Sequence, residues 1–178
     1  LPGRSGLGGS SAFTVGLLNA MRHQFNVGSV DAWSLADEAI YVEQEVIREA
    51  VGCQDQVFAA HGGLRFVTFG TNGNRSIRTI DMPLERMQEL ETSLILVYSG
   101  AMRDAHLMAQ KTIASIPTRE TIVGGLKRLA EHGADVLLNH APVGEIGKLL
   151  DTAWRLKRDL CAEVTTTEID ALYERGLK

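Results

Sequence analysis

The sequence predicts an α+β fold, and three observations carry that prediction. Residues 64–69 (Leu64-Arg65-Phe66-Val67-Thr68-Phe69) and 75–80 read as two strands joined across Asn72-Gly73, a strong hairpin turn. Most other segments show helical spacing bounded by caps and glycines. No regular alternation of strand and helix asks for a doubly wound parallel sheet.

Taken in order, a glycine-rich stretch comes first. Gly3, Gly6, Gly8 and Gly9 lie within seven residues, and Ser10 and Ser11 follow. Phe13, Leu17, Ala20 and Met21 then give an apolar run at helical spacing, so a helix is expected over 13–25, ended by Asn26-Val27-Gly28-Ser29. A second helix is expected over 31–50, capped by Asp31 or Ser34. A short helix follows, closed at Gly62. After the hairpin come a short segment from Pro83, a β-rich run at 93–98, and a helix over 102–116 stopped by Pro117. The remainder reads as helices over 119–132, 142–162 and 169–176, with a break at Gly133. The shift towards helix near residue 92 predicts two parts, 1–92 and 93–178.

The formal net charge is −4, which gives no basic surplus for nucleic acid. No apolar run approaches the roughly 18 residues of a membrane span. Two cysteines, Cys53 and Cys161, are too few for a disulfide framework, and reduced thiols in a cytoplasmic protein are expected.

A glycine-rich loop feeding a helix suits an anion, most naturally a phosphate. The backbone allows close approach, and the first helical turn leaves N–H groups unpaired at the positive end of the dipole. Ser10 or Ser11 can cap that helix. An ordinary capped turn is the plainer alternative. Gly3 to Gly8 has the spacing of a Walker A loop, but Gly9 stands where its lysine belongs.

Glu43 falls on the apolar stripe Ala36, Ile40, Ile47 of the second helix. A carboxylate on a buried face needs a compensating partner. It either reaches the rim, pairs with a structural arginine, or serves a site. Asp55 opens the next helix, where an N-cap role competes with a chemical one.

Two motifs carry a resemblance. Pro2-Gly3-x-x-Gly6-Leu7-Gly8-x-Ser10-Ser11-Ala12 resembles the phosphate-binding loop of the GHMP kinases, and Gly52-x-x-Asp55-Gln56 resembles a second motif of that family. Ser5 and Gly9 depart from the usual pattern. Gln54-Asp55-Gln56 with Ala59-Ala60-x-Gly62-Gly63 is similar to the branch that phosphorylates D-glycero-D-manno-heptose 7-phosphate. So are Leu96-Val97-Tyr98-Ser99-Gly100-x-x-Arg103 and Trp154-x-Leu156-Lys157.

The resemblance implies the GHMP kinase fold: an N-terminal ATP-binding domain like domain 2 of ribosomal protein S5, and a helix-rich α+β C-terminal domain. It implies ATP and Mg²⁺ as cofactors and a sugar phosphate as substrate, and it leaves room for a homodimer. The ATP phosphates would lie on Gly3, Ser5, Gly6, Leu7, Gly8, Gly9, Ser10 and Ser11. The metal would be held by Ser10 and Glu43, and Asp55 would be the base. Gln56 would support Asp55 or touch substrate. Arg103 would meet a substrate phosphate, with a solvated arginine as the alternative. The resemblance also implies a fragment that lacks the family's N-terminal strands and its C-terminal glycine-rich motif. Other sugars (fucose, galactose, an octose phosphate) and a non-catalytic sensor of the same fold stay open.

Overall fold

The computed structural model describes residues 6–100, 105–139 and 141–178. Gly3, Ser5 and Arg103 lie outside the described residues. The chain divides into two compact units, residues 1–63 with 101–110, and residues 64–100 with 111–178. The mixture of helices with one antiparallel strand pair is an α+β architecture.

The first unit packs three helices on one another: α1 (Gly9–Gln24), α2 (Ala32–Tyr41) and α3 (Gln54–His61). Their shared core is Val15, Leu35 and Ala39, with Leu18, Val30 and Ala60 against it. Val57 is fully buried, and its burial contributes about 1.5–3 kcal/mol. On α1 the buried face runs through Ser11, Val15 and Leu18, while Phe13, Leu17 and Met21 point outward. The helix begins four residues earlier than its apolar run suggests. Gly8 is the cap residue, at φ 66, and no side chain caps the helix, so neither Ser10 nor Ser11 has that role.

Asp31 caps α2, its Oδ1 accepting from the backbone N–H of Trp33 (2.9 Å) and Ser34 (3.1 Å). The expected long second helix stops at Tyr41. From Val42 to Val46 the backbone winds as a π-helical turn, in which the Ile47 N–H donates to the Val42 carbonyl at 2.8 Å. Arg48, at φ 62, ends it, and the side-chain amide of Gln44 ties the returning chain at the Val51 carbonyl. Gly62, at φ 61, ends α3 as its position predicts.

In the second unit, β1 (Arg65–Phe69) pairs antiparallel with β2 (Arg75–Thr79), Val67 opposite Ile77. Gly73 takes φ 80 in the connecting turn. The segment after Pro83 is a full helix, α4 (Leu84–Ser93), where the sequence marks only a short segment. The strand expected at 93–98 is absent. Ser93 ends α4, and among the described residues 94–100 form no strand, Ile95 being 88% exposed. β-branched composition supplies propensity, but a strand exists only where its backbone groups are paired.

The helices α5 (Ala105–Ser115), α6 (Glu120–Leu138), α7 (Gly144–Leu160) and α8 (Thr167–Gly176) follow. Gly133 does not break α6. α7 packs closely at Gly125, where a Cβ would stand 3.1 Å from Leu156 Cδ1, while one at Gly133 would make an ordinary contact, 4.0 Å from Leu149 Cδ1. Tyr173 of α8 rests on Trp154 of α7 and donates its hydroxyl to Asp151. Among the described residues no helix is long and apolar enough to cross a membrane.

Candidate active site

The site lies within the first unit, where α1, α2 and α3 meet. Gly6 and Gly8 take φ 75 and 66, a left-handed backbone that side-chain-bearing residues adopt at a cost. They turn the chain into α1, whose first helical bond runs from the Ala12 N–H to the Gly8 carbonyl at 2.9 Å. The N–H groups of Gly9, Ser10 and Ser11 therefore precede the intrahelical ladder and stand at the positive end of the helix dipole. The first turn carries no acidic side chain to oppose an anion. Gly6, Leu7, Gly9 and Ser10 are exposed along this edge.

Behind the loop, three polar side chains are buried together. Glu43 is 1% exposed and Gln56 0%. The Ser11 hydroxyl donates to Glu43 Oε2 at 2.9 Å. The Gln56 amide donates to the same oxygen at 2.5 Å. Glu43 Oε1 has no hydrogen-bond partner among the described residues, and neither has Gln56 Oε1. Glu43 thus neither reaches the rim nor pairs with an arginine among the described residues. The π-helical turn holds it in place, just past the end of α2.

A buried carboxylate held by neutral donors on one oxygen alone is poorly compensated. A hard cation at the bare oxygen would relieve it. Mg²⁺ takes oxygen donors and needs few from protein, because waters and phosphates complete its shell. The Ser11–Glu43 pair fits such an ion. The serine against the glutamate is Ser11. Ser10 is exposed, and its carbonyl accepts from the Thr14 hydroxyl at 3.2 Å. The early start of α1 sets this phase, turning Ser11 inward and Ser10 outward.

Asp55 sits in the first turn of α3 and is exposed. The cap position of α3 is Cys53, so Asp55 is not the N-cap. Its side chain faces the loop: an ideal Cβ on Gly8 would lie 3.1 Å from both its Cγ and its Oδ2. The fold therefore brings the glycine loop, the Ser11–Glu43 pair and Asp55 together. Gln56, expected beside Asp55 or a substrate, points instead to Glu43. Nothing in the spacing of Glu43 and Gln56 signals that contact.

Residues 1–63 match the family model of the GHMP kinases N terminal domain. Over nearly its whole length, 99%, the chain is 25% identical to the D-glycero-alpha-D-manno-heptose 7-phosphate kinase of Campylobacter jejuni, covering 52% of that protein. Over 98% of its length it is 26% identical to the bifunctional fucokinase/GDP-fucose pyrophosphorylase of Arabidopsis thaliana, covering 17% of it. The chain spans about half the length of the first of these relatives and far less of the second. The match to the GHMP kinase domain ends at Gly63, as does the N-terminal portion of the first compact unit.

Proposed function

We propose that the protein is an ATP-dependent sugar kinase that moves the γ-phosphate to a sugar hydroxyl, with D-glycero-D-manno-heptose 7-phosphate as the leading acceptor. The observation that carries the reading is the buried Glu43, bonded on Oε2 and bare on Oε1, directly behind a glycine loop that faces Asp55. The kinase names of both relatives support the reaction class, and the Campylobacter protein supports the acceptor. Product feeding into nucleotide-activated heptose, for cell-surface polysaccharide, and a cytoplasmic location follow from that acceptor.

In this reading the N–H groups of Gly9, Ser10 and Ser11 cradle the nucleotide phosphates, and the exposed Ser10 hydroxyl adds a donor. Ser11 and Glu43 hold the divalent cation, Ser11 in place of Ser10. When bound, that cation supplies charge neutralisation and orientation for the phosphates. Asp55 orients the acceptor hydroxyl and takes its proton. Its place against Gly8 keeps the base beside the phosphate loop.

An ADP-release assay with a panel of acceptors tests the proposal: heptose 7-phosphate, fucose, galactose and an octose phosphate. Turnover highest with the heptose phosphate supports the full reading. Turnover highest with fucose keeps the reaction and changes the acceptor. Tight binding of Mg²⁺·ATP without turnover on any sugar would make the protein a sensor of this fold.

A further inference from the structure

We infer that Gln56 is a positioning residue for the Glu43 carboxylate, and so decides which carboxylate oxygen is offered to a divalent cation. The inference rests on the metal-dependent reading of the site given above.

Gln56 is fully buried, so it has no surface to offer a sugar. Its amide nitrogen lies 2.5 Å from Glu43 Oε2, the oxygen that also accepts from Ser11. A carboxylate accepts and does not donate, which fixes the amide with nitrogen towards Glu43. Two donors on one oxygen leave Oε1 as the open acceptor, and it has no partner among the described residues. The donors arrive from different helices, Ser11 from α1 and Gln56 from α3, while Glu43 belongs to the π-helical turn after α2. The carboxylate is therefore clamped from two directions. Without the amide, one hydroxyl bond remains, and the group can rotate to offer either oxygen. Outer-shell partners of this kind orient metal ligands, and their loss typically costs about 10–100-fold in metal affinity.

The test uses Mn²⁺ as the probe, titrated in the presence of a non-hydrolysable ATP analogue and followed by electron paramagnetic resonance. Gln56→Met keeps the volume and removes the donor. Gln56→Asn keeps a buried amide but withdraws it from Glu43, and serves if the Met variant does not fold. We expect roughly tenfold weaker Mn²⁺ binding in the folded variant, with the KM for the sugar unchanged. Unchanged Mn²⁺ affinity, or a raised sugar KM at unchanged Mn²⁺ affinity, overturns the assignment and leaves the metal reading standing. Absence of nucleotide-dependent Mn²⁺ binding in the parent protein overturns both.

Discussion

Gly8 and Asp55 stand face to face, so closely that a side-chain carbon at Gly8 would press on the Asp55 carboxylate. An ideal Cβ at Gly8 would lie 3.1 Å from the Asp55 Oδ2 and 3.3 Å from its Cβ. The loop and the candidate base are in contact, so each constrains the other.

Gly8→Ala should therefore harm the protein twice. At φ 66 an alanine costs about 1 kcal/mol or more, and its methyl presses on the Asp55 carboxylate. The expected result is a lower melting temperature and turnover reduced by about tenfold or more. Gly9→Ala is the control: nothing lies within 4 Å of its Cβ position and its φ is not left-handed, so its melting temperature should be no lower than the parent's.

Asp55→Asn keeps the shape and removes the base. Turnover should fall by about 10²-fold or more, with little change in the KM for ATP. Steady-state kinetics at saturating acceptor reads both numbers. Near-parental turnover would exclude Asp55 as the base.

Glu43→Gln separates stability from function. The buried carboxylate lacks a cation among the described residues, so a neutral isostere at 43 should melt no lower than the parent when metal is absent. The same variant should need more Mg²⁺ for activity and lose the thermal stabilisation that Mg²⁺·ATP gives the parent. A magnesium titration identical to the parent's would make Glu43 purely structural.

The cap of α2 gives a pH signature. The Ser34 hydroxyl, helped by backbone N–H groups, holds the Asp31 carboxyl below its ordinary value of 3.8. A carboxyl depressed on folding stabilises the fold above its unfolded value, and that stabilisation is lost as the pH falls through the lowered folded value. Asp31→Ala should therefore melt below the parent at pH 7, with the gap closing below pH 3.8. Thermal melts across that range check the sign. A gap that stays constant on acidification would mean that Asp31 stabilises α2 by something other than its charge.

Much of the site was legible because it breaks ordinary rules. Four glycines in seven residues are unusual unless backbone must come close to something, and Glu43 is conspicuous as a charge on an apolar stripe. The hairpin announced itself through Asn72-Gly73. The parts that escaped depend on packing. Gly133 reads as a break, yet it sits inside α6, where the packing of α6 on α7 overrides propensity. The π-helical turn that carries Glu43 has no residue signature. The choice of Ser11 over Ser10 depends on where α1 starts, and a left-handed Gly8 moved that start forward. The Gln56–Glu43 bond joins two helical segments whose relative placement no local pattern encodes.

Phosphoryl transfer from ATP at this site is tested most directly by ³¹P nuclear magnetic resonance of the intact protein with Mg²⁺, ATP and heptose 7-phosphate, run beside Asp55→Asn. The expected result is loss of the γ-phosphate signal, growth of ADP and appearance of a new sugar phosphate ester, all suppressed in the variant. Nucleotide binding without any new ester on this or another sugar, or an ester formed equally fast by Asp55→Asn, would contradict it.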